Sequence, residues 1–141
     1  MTLYLDTSLL VAFLTNEASS ESVEAWMQGC DGREFASSAW VATEFSAALS
    51  IKMRSGRIDA AARAGALARF AAMYSDAFIV LSISESHFRT AARFADQYPL
   101  GLRSGDALHL AIAASHGATL CTLDQRLADA GPPLGLPTLL V

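Results

Sequence analysis

At 141 residues with 52% hydrophobic and 17% charged residues, the chain is long enough to bury a core and too apolar to be disordered. No apolar stretch reaches the 18 to 20 or so residues a membrane span requires, and no basic segment opens the chain, so a soluble cytoplasmic protein is expected. The net charge of −4 argues against a general nucleic-acid coat, while Cys30 and Cys121 are too few and too isolated for a disulfide framework.

The run Leu3-Tyr4-Leu5 is short and apolar and ends in Asp6-Thr7-Ser8, a set of helix caps. Leu9, Leu10, Phe13 and Leu14 then follow at helical spacing. A second helix is predicted from Ser20 to Gln28, stopped by Gly29 and Gly32, and a strand from Glu34 to Ser37. A long apolar-rich helix covers Ala39 to Met53, closed by Ser55-Gly56, and Asp59 caps another that runs to about Tyr74. Phe78 to Leu81 has the branched and aromatic residues of a buried strand. Ser84 caps a helix carrying His87, Phe88, Ala91 and Phe94, which ends before Pro99. Ser104 caps and opens the next helix, with Leu108, Ala111 and Ile112 inward and Gly117 as its stop. Thr119 to Thr122 reads as strand, Leu123 to Ala130 as a short helix, and Thr138 to Val141 as a last strand. Such alternation predicts one α/β domain, residues 1–141, built on a mostly parallel sheet.

Four acids stand out against this background. Asp6 ends the first strand, where open α/β sheets gather ligands, although an N-cap explains it equally well. Asp106 falls in the first turn of its helix, where the dipole favours an anion, and Asp124 opens a helix after a strand. Glu44 is different. On the helical period it shares a face with Trp40, Val41, Ala48 and Ile51, and a carboxylate there costs several kcal/mol unless paired, protonated or metal-bound. An ion pair with a core-facing Arg is the plain alternative. Two carboxylates about 5 Å apart repel by roughly 3 kcal/mol at an effective dielectric near 20, so four in one crevice require a counter-charge. Mg²⁺ or Mn²⁺ suits oxygen ligands, lowers the pKa of bound water and clamps phosphoryl oxygens, which is the chemistry of phosphodiester cleavage.

His109 follows Asp106 at i+3 but is ringed by Leu108, Leu110 and Ile112, so it reads first as a core histidine satisfied by one hydrogen bond. His87 and His116 read as surface or helix-end residues, and Trp26 and Trp40 as core. There is no nucleotide-binding glycine loop, and Ser8, Ser38 and Ser104 lack a His-acid set for nucleophilic catalysis.

Together, Leu3-Tyr4-Leu5-Asp6-Thr7-Ser8, the helix bearing Glu44, Gly105-Asp106-Ala107-Leu108-His109-Leu110-Ala111 and Thr122-Leu123-Asp124 resemble a PIN-domain ribonuclease. The nearest subgroup is the VapC toxins of type II toxin–antitoxin modules. The resemblance spans essentially the whole chain. It implies a PIN-like three-layer α/β sandwich with a central parallel sheet of about five strands flanked by helices. It also implies a Mg²⁺- or Mn²⁺-dependent endoribonuclease site in which Asp6 and Asp106 hold the metal and Glu44 and Asp124 complete the shell. Thr7, Ser8 and Thr122 would support those acids, and Arg103 and Arg126, with Lys52, Arg54 and Arg57, would grip RNA. A homodimer and a VapB-type antitoxin are the implied partners. Two other functions stay open: a catalytically silent PIN-fold binding module, and an aspartyl-phosphate phosphatase with Asp6 as nucleophile. The latter usually wants a carboxylate where this chain has Ser8.

Overall fold

The computed structural model describes residues 1–141. Its strands are β1 (Thr2–Leu5), β2 (Glu34–Ser38), β3 (Ile79–Leu81), β4 (Thr119–Thr122) and β5 (Thr138–Leu140). The first four helices are α1 (Thr7–Leu14), α2 (Ser20–Gln28), α3 (Ala39–Arg54) and α4 (Ala60–Asp76). The rest are α5 (Glu85–Ala95), α6 (Ser104–Ser115) and α7 (Gln125–Ala130), with 3-10 turns at Tyr98–Leu100 and Pro132–Leu134. None of the helices is long and apolar enough to cross a membrane.

All four strand pairings are parallel and the order is β3-β2-β1-β4-β5. The centre goes to β1 because Leu3, Tyr4 and Leu5 are all buried, so the strand can be covered on both faces. From β1 the chain builds outward through β2 to β3, then returns to build outward on the other side through β4 and β5. That reversal puts the topological switch between β1 and β4, and ligand crevices in such sheets open at the carboxyl ends there. Asp6 follows β1 and Asp124 follows β4.

The predicted elements are present, with three differences. Phe78 to Leu81 is not a fully buried strand. The strand starts at Ile79, and Ile79 and Val80 are 42% and 45% exposed because β3 lies at the sheet's edge. Ser104 is the first residue of α6 rather than its cap; Arg103 occupies that position without a side-chain cap bond, and Asp106 still falls in the first turn. His87 is a helix-end residue in the first turn of α5, but a buried one rather than a surface one. Its Nδ1 accepts the Ser84 N–H at 2.8 Å and its Nε2 lies 2.6 Å from Ser115 Oγ, closing the first turn of α5 onto the end of α6. The two tryptophans pack against the core while staying partly exposed, and both cysteines are free.

Candidate active site

Asp6 turns the chain from β1 into α1 and is only 4% exposed. Its Oδ1 accepts from the Leu9 N–H at 3.2 Å and from Ser8 Oγ at 2.6 Å, and its Oδ2 accepts from Thr122 Oγ1 at 2.5 Å. The helix-cap reading of Asp6 therefore holds, but a cap uses one oxygen and leaves the other turned toward β4. Burial raises its pKa above the ordinary carboxylate value, and the Ser8 and Thr122 hydroxyls, His109 and the Leu9 N–H offset this only in part.

Ser8 and Thr122 knit the β1 and β4 ends together. Ser8 Oγ accepts the Leu123 N–H at 3.0 Å, and Thr122 Oγ1 accepts the Asp124 N–H at 2.9 Å. Asp124 in turn caps α7 through Oδ1, which accepts from the N–H groups of Arg126 at 2.9 Å and Leu127 at 3.4 Å. Its cap role is also real.

Glu44 does not lie in the middle of an apolar stripe. The buried face of α3 is Val41, Phe45, Leu49 and Lys52, while Ile51 is exposed, so Glu44 lies on the flank of that face. Its partner is a histidine rather than an arginine. Glu44 Oε1 accepts from Thr7 Oγ1 at 3.0 Å and from His109 Nε2. Burial is the largest influence on this carboxyl and opposes ionisation. The His109 hydrogen bond, attraction to His109 and the Thr7 hydroxyl outweigh it and lower the pKa.

Asp106 is half-buried in the first turn of α6. Burial first, and then the like charge of Asp124, raise its pKa against the pull of His109 and Arg103. One residue earlier, a Cβ on Gly105 would stand 3.2 Å from Glu44 Oε2, which places the free oxygen of Glu44 beside this turn. The fold thus gathers all four acids at the carboxyl end of the sheet.

No three His, Cys, Asp or Glu side chains form a ready-made metal cage. The donor set nevertheless suits Mg²⁺ or Mn²⁺: hard carboxylate oxygens, two of them on groups whose ionisation the site itself disfavours. Mg²⁺ commonly takes one or two carboxylates and keeps waters rather than entering an all-protein cage.

Asp124 stands between two open grooves. One, of about 800 Å³, carries Arg103 and Arg126. The other, of about 520 Å³, is lined by Thr7, Ser8, Lys52 and Arg57 among others. Lys52 does not reach for a ligand here. It is 8% exposed and paired with Glu17 at 2.6 Å, so the expected basic set reduces to exposed arginines.

The participants missed by sequence reasoning are Tyr4 and Ser38, and His109 was underestimated. His109 makes two hydrogen bonds rather than one, since its Nδ1 lies 2.9 Å from Tyr4 Oη, which lies 2.8 Å from Ser38 Oγ. A tyrosine inside a central strand carries the signal, because a buried phenol needs a partner.

A family profile of the PIN domain matches residues 3–131. The chain belongs to the PIN-domain family. Among solved PIN structures, VapC20 from Mycobacterium tuberculosis, titled a sarcin-ricin loop cleaving toxin, is similar over 92% of this chain and 95% of its own, at 16% identity and a TM-score of 0.73. VapBC2 from Rickettsia felis, solved bound to a promoter DNA fragment, is similar over 100% and 99%, at 15% identity and a TM-score of 0.69. PAE2754 from Pyrobaculum aerophilum covers 92% and 87%, at 26% identity and a TM-score of 0.66. No curated protein sequence matches significantly. The PIN fold is therefore shared with VapC toxins and VapBC complexes across low sequence identity.

Proposed function

We propose that this PIN-domain chain is a Mg²⁺- or Mn²⁺-dependent endoribonuclease and the toxin of a type II toxin–antitoxin module. The observation that carries the reading is the convergence of Asp6, Glu44, Asp106 and Asp124 at the β1/β4 switch point, with burial disfavouring the ionisation of Asp6, and burial and the charge of Asp124 disfavouring that of Asp106. Such a site gains most from a bound cation. Asp6 Oδ2, Asp106 and the free oxygens of Glu44 and Asp124 are the atoms that would hold it. When bound there, a divalent ion supplies charge stabilisation at a phosphoryl oxygen and a water of lowered pKa.

The protein's own contribution is placement. Ser8 and Thr122 fix the Asp6 carboxylate, Thr7 fixes Glu44, and the α7 cap fixes Asp124. Arg103 and Arg126 flank Asp124 on one groove and Arg57 lines the other, so a phosphate backbone crossing Asp124 meets guanidinium on both sides. Single-stranded or looped RNA, whose bases and phosphates are both accessible, is the proposed form of the substrate. Structural similarity to VapBC complexes supports a VapB-type antitoxin, and a homodimer is the assembly we propose with it.

The test is cleavage of cellular RNA by the purified chain with Mg²⁺. Asp6→Asn, folded as judged by circular dichroism, is expected to lose the activity, and EDTA to abolish it in the wild type. Full cleavage by that variant, or in excess EDTA, overturns the mechanism.

A further inference from the structure

We propose that His109 is a positioning residue that occupies Glu44 Oε1, so that Glu44 meets the site through Oε2 alone. The geometry stands by itself; only the use made of Oε2 rests on the metal-dependent reading above.

A carboxylate oxygen can only accept, so the contact between Glu44 Oε1 and His109 Nε2 requires hydrogen on Nε2. With Thr7 Oγ1 also donating to Oε1, that oxygen is taken twice, while Oε2 faces the first turn of α6 beside Asp106. On its other side His109 is braced. Nδ1 meets Tyr4 Oη at 2.9 Å, Tyr4 Oη meets Ser38 Oγ at 2.8 Å, and Ser38 Oγ accepts the Val41 N–H as the cap of α3. Tyr4 and Ser38 are fully buried and His109 is 2% exposed, so water does not compete for these bonds.

The chain of contacts leaves α3 at its cap, crosses β1, reaches α6, and returns to α3 at Glu44. Because His109 lies one helical turn from Asp106, the bracket also sets the spacing between Asp106 and Glu44. Ordinary core packing would hold a ring in this place. It would not choose which carboxylate oxygen is free.

Partners of this kind commonly change metal affinity by about 10- to 100-fold when removed. The experiment measures Mn²⁺ affinity by calorimetry on the full chain, and the His109 ring by long-range ¹⁵N NMR. Hydrogen on Nε2 is expected, alone or together with Nδ1; hydrogen on Nδ1 alone overturns the proposal. His109→Leu is expected to weaken Mn²⁺ binding at least about tenfold, and His109→Gln, whose amide N–H can reach Oε1, to restore most of it. Wild-type affinity in a folded His109→Leu overturns the proposal, as does failure of a folded His109→Gln to rescue. The ring measurement uses wild-type protein and decides the matter even if these variants fail to fold. Undiminished binding by Asp6→Asn is a separate outcome, which undermines the metal site itself.

Discussion

The Thr122 hydroxyl stands 2.5 Å from Asp6 Oδ2 and accepts the Asp124 N–H at 2.9 Å through the same oxygen. One buried hydroxyl therefore couples two acids that end neighbouring strands. Thr122→Val keeps the shape of the side chain and removes both bonds. Urea denaturation is expected to show a loss of about 1–3 kcal/mol, because a buried acceptor and a backbone donor are left unpaired. RNA cleavage should fall with it, whereas wild-type stability in this variant would place the two acids in separate environments.

Glycine at position 105 has a defined consequence. A Cβ there would lie 3.2 Å from Glu44 Oε2 and 3.4 Å from Trp40 Cζ2. In Gly105→Ala, helix propensity favours the variant by up to about 1 kcal/mol, and the crowding opposes it. Thermal stability should change little while cleavage drops sharply, since the displaced atom is the free oxygen of Glu44. Unchanged cleavage would show that Oε2 does not serve the site.

The pH dependence of stability has a sign that can be worked out. Burial holds Asp6 above 3.8, and burial with Asp124 does the same for Asp106. Each binds its proton more tightly in the folded state, so stability declines as pH rises from the unfolded value through the raised folded one. Glu44 is lowered below 4.5, and its contribution is lost in the opposite direction, as pH falls through its folded value. In EDTA, urea midpoints measured upward from about pH 5, above the Glu44 window, should decline, and Asp6→Asn should decline less steeply. Equal slopes would remove Asp6 from the account.

Divalent ions should reverse that decline. Mg²⁺ or Mn²⁺ at about a hundred times its dissociation constant would add about 2.7 kcal/mol, read as a rise in Tm that EDTA cancels. Asp6→Asn and Asp106→Asn should each lose most of the rise. A Tm insensitive to either ion would count against the carboxylate cluster as a metal site.

Lys52 and Arg126 should separate stability from RNA binding. Removing Lys52 leaves Glu17 unpaired, so Lys52→Met is expected to cost about 2 kcal/mol and to leave RNA affinity nearly unchanged. Arg126→Ala should do the reverse, weakening binding and reducing its salt dependence by about one counterion. Equal RNA affinity in both variants would exclude the Asp124 groove as the strand's path.

Much of the frame was legible because it is written locally. Caps at Asp6, Asp59 and Asp124 do what their residue types do, and the buried run Leu3–Leu5 occupies the central strand. What misled was distance from the centre. The apolar composition of Ile79–Leu81 looks the same at an edge as in a core, and the helical period placed Glu44 on a face defined by Ile51, which is exposed. Periodicity gives a direction around a helix, while burial depends on what lies opposite.

The sequence alone determined the order of elements and the family, and it singled out the four acids that the fold brings to one end of the sheet, because each follows from patterns read along the chain. Partnership was decided only by the tertiary structure. Glu44 needed a counter-group, and nothing along the chain said that it would be His109, 65 residues away, braced by Tyr4 and Ser38. Lys52 looked free and is committed to Glu17. Hydrogen bonds and buried charges form between groups that the fold brings within about 3 Å, and that nearness follows from strand order and helix packing.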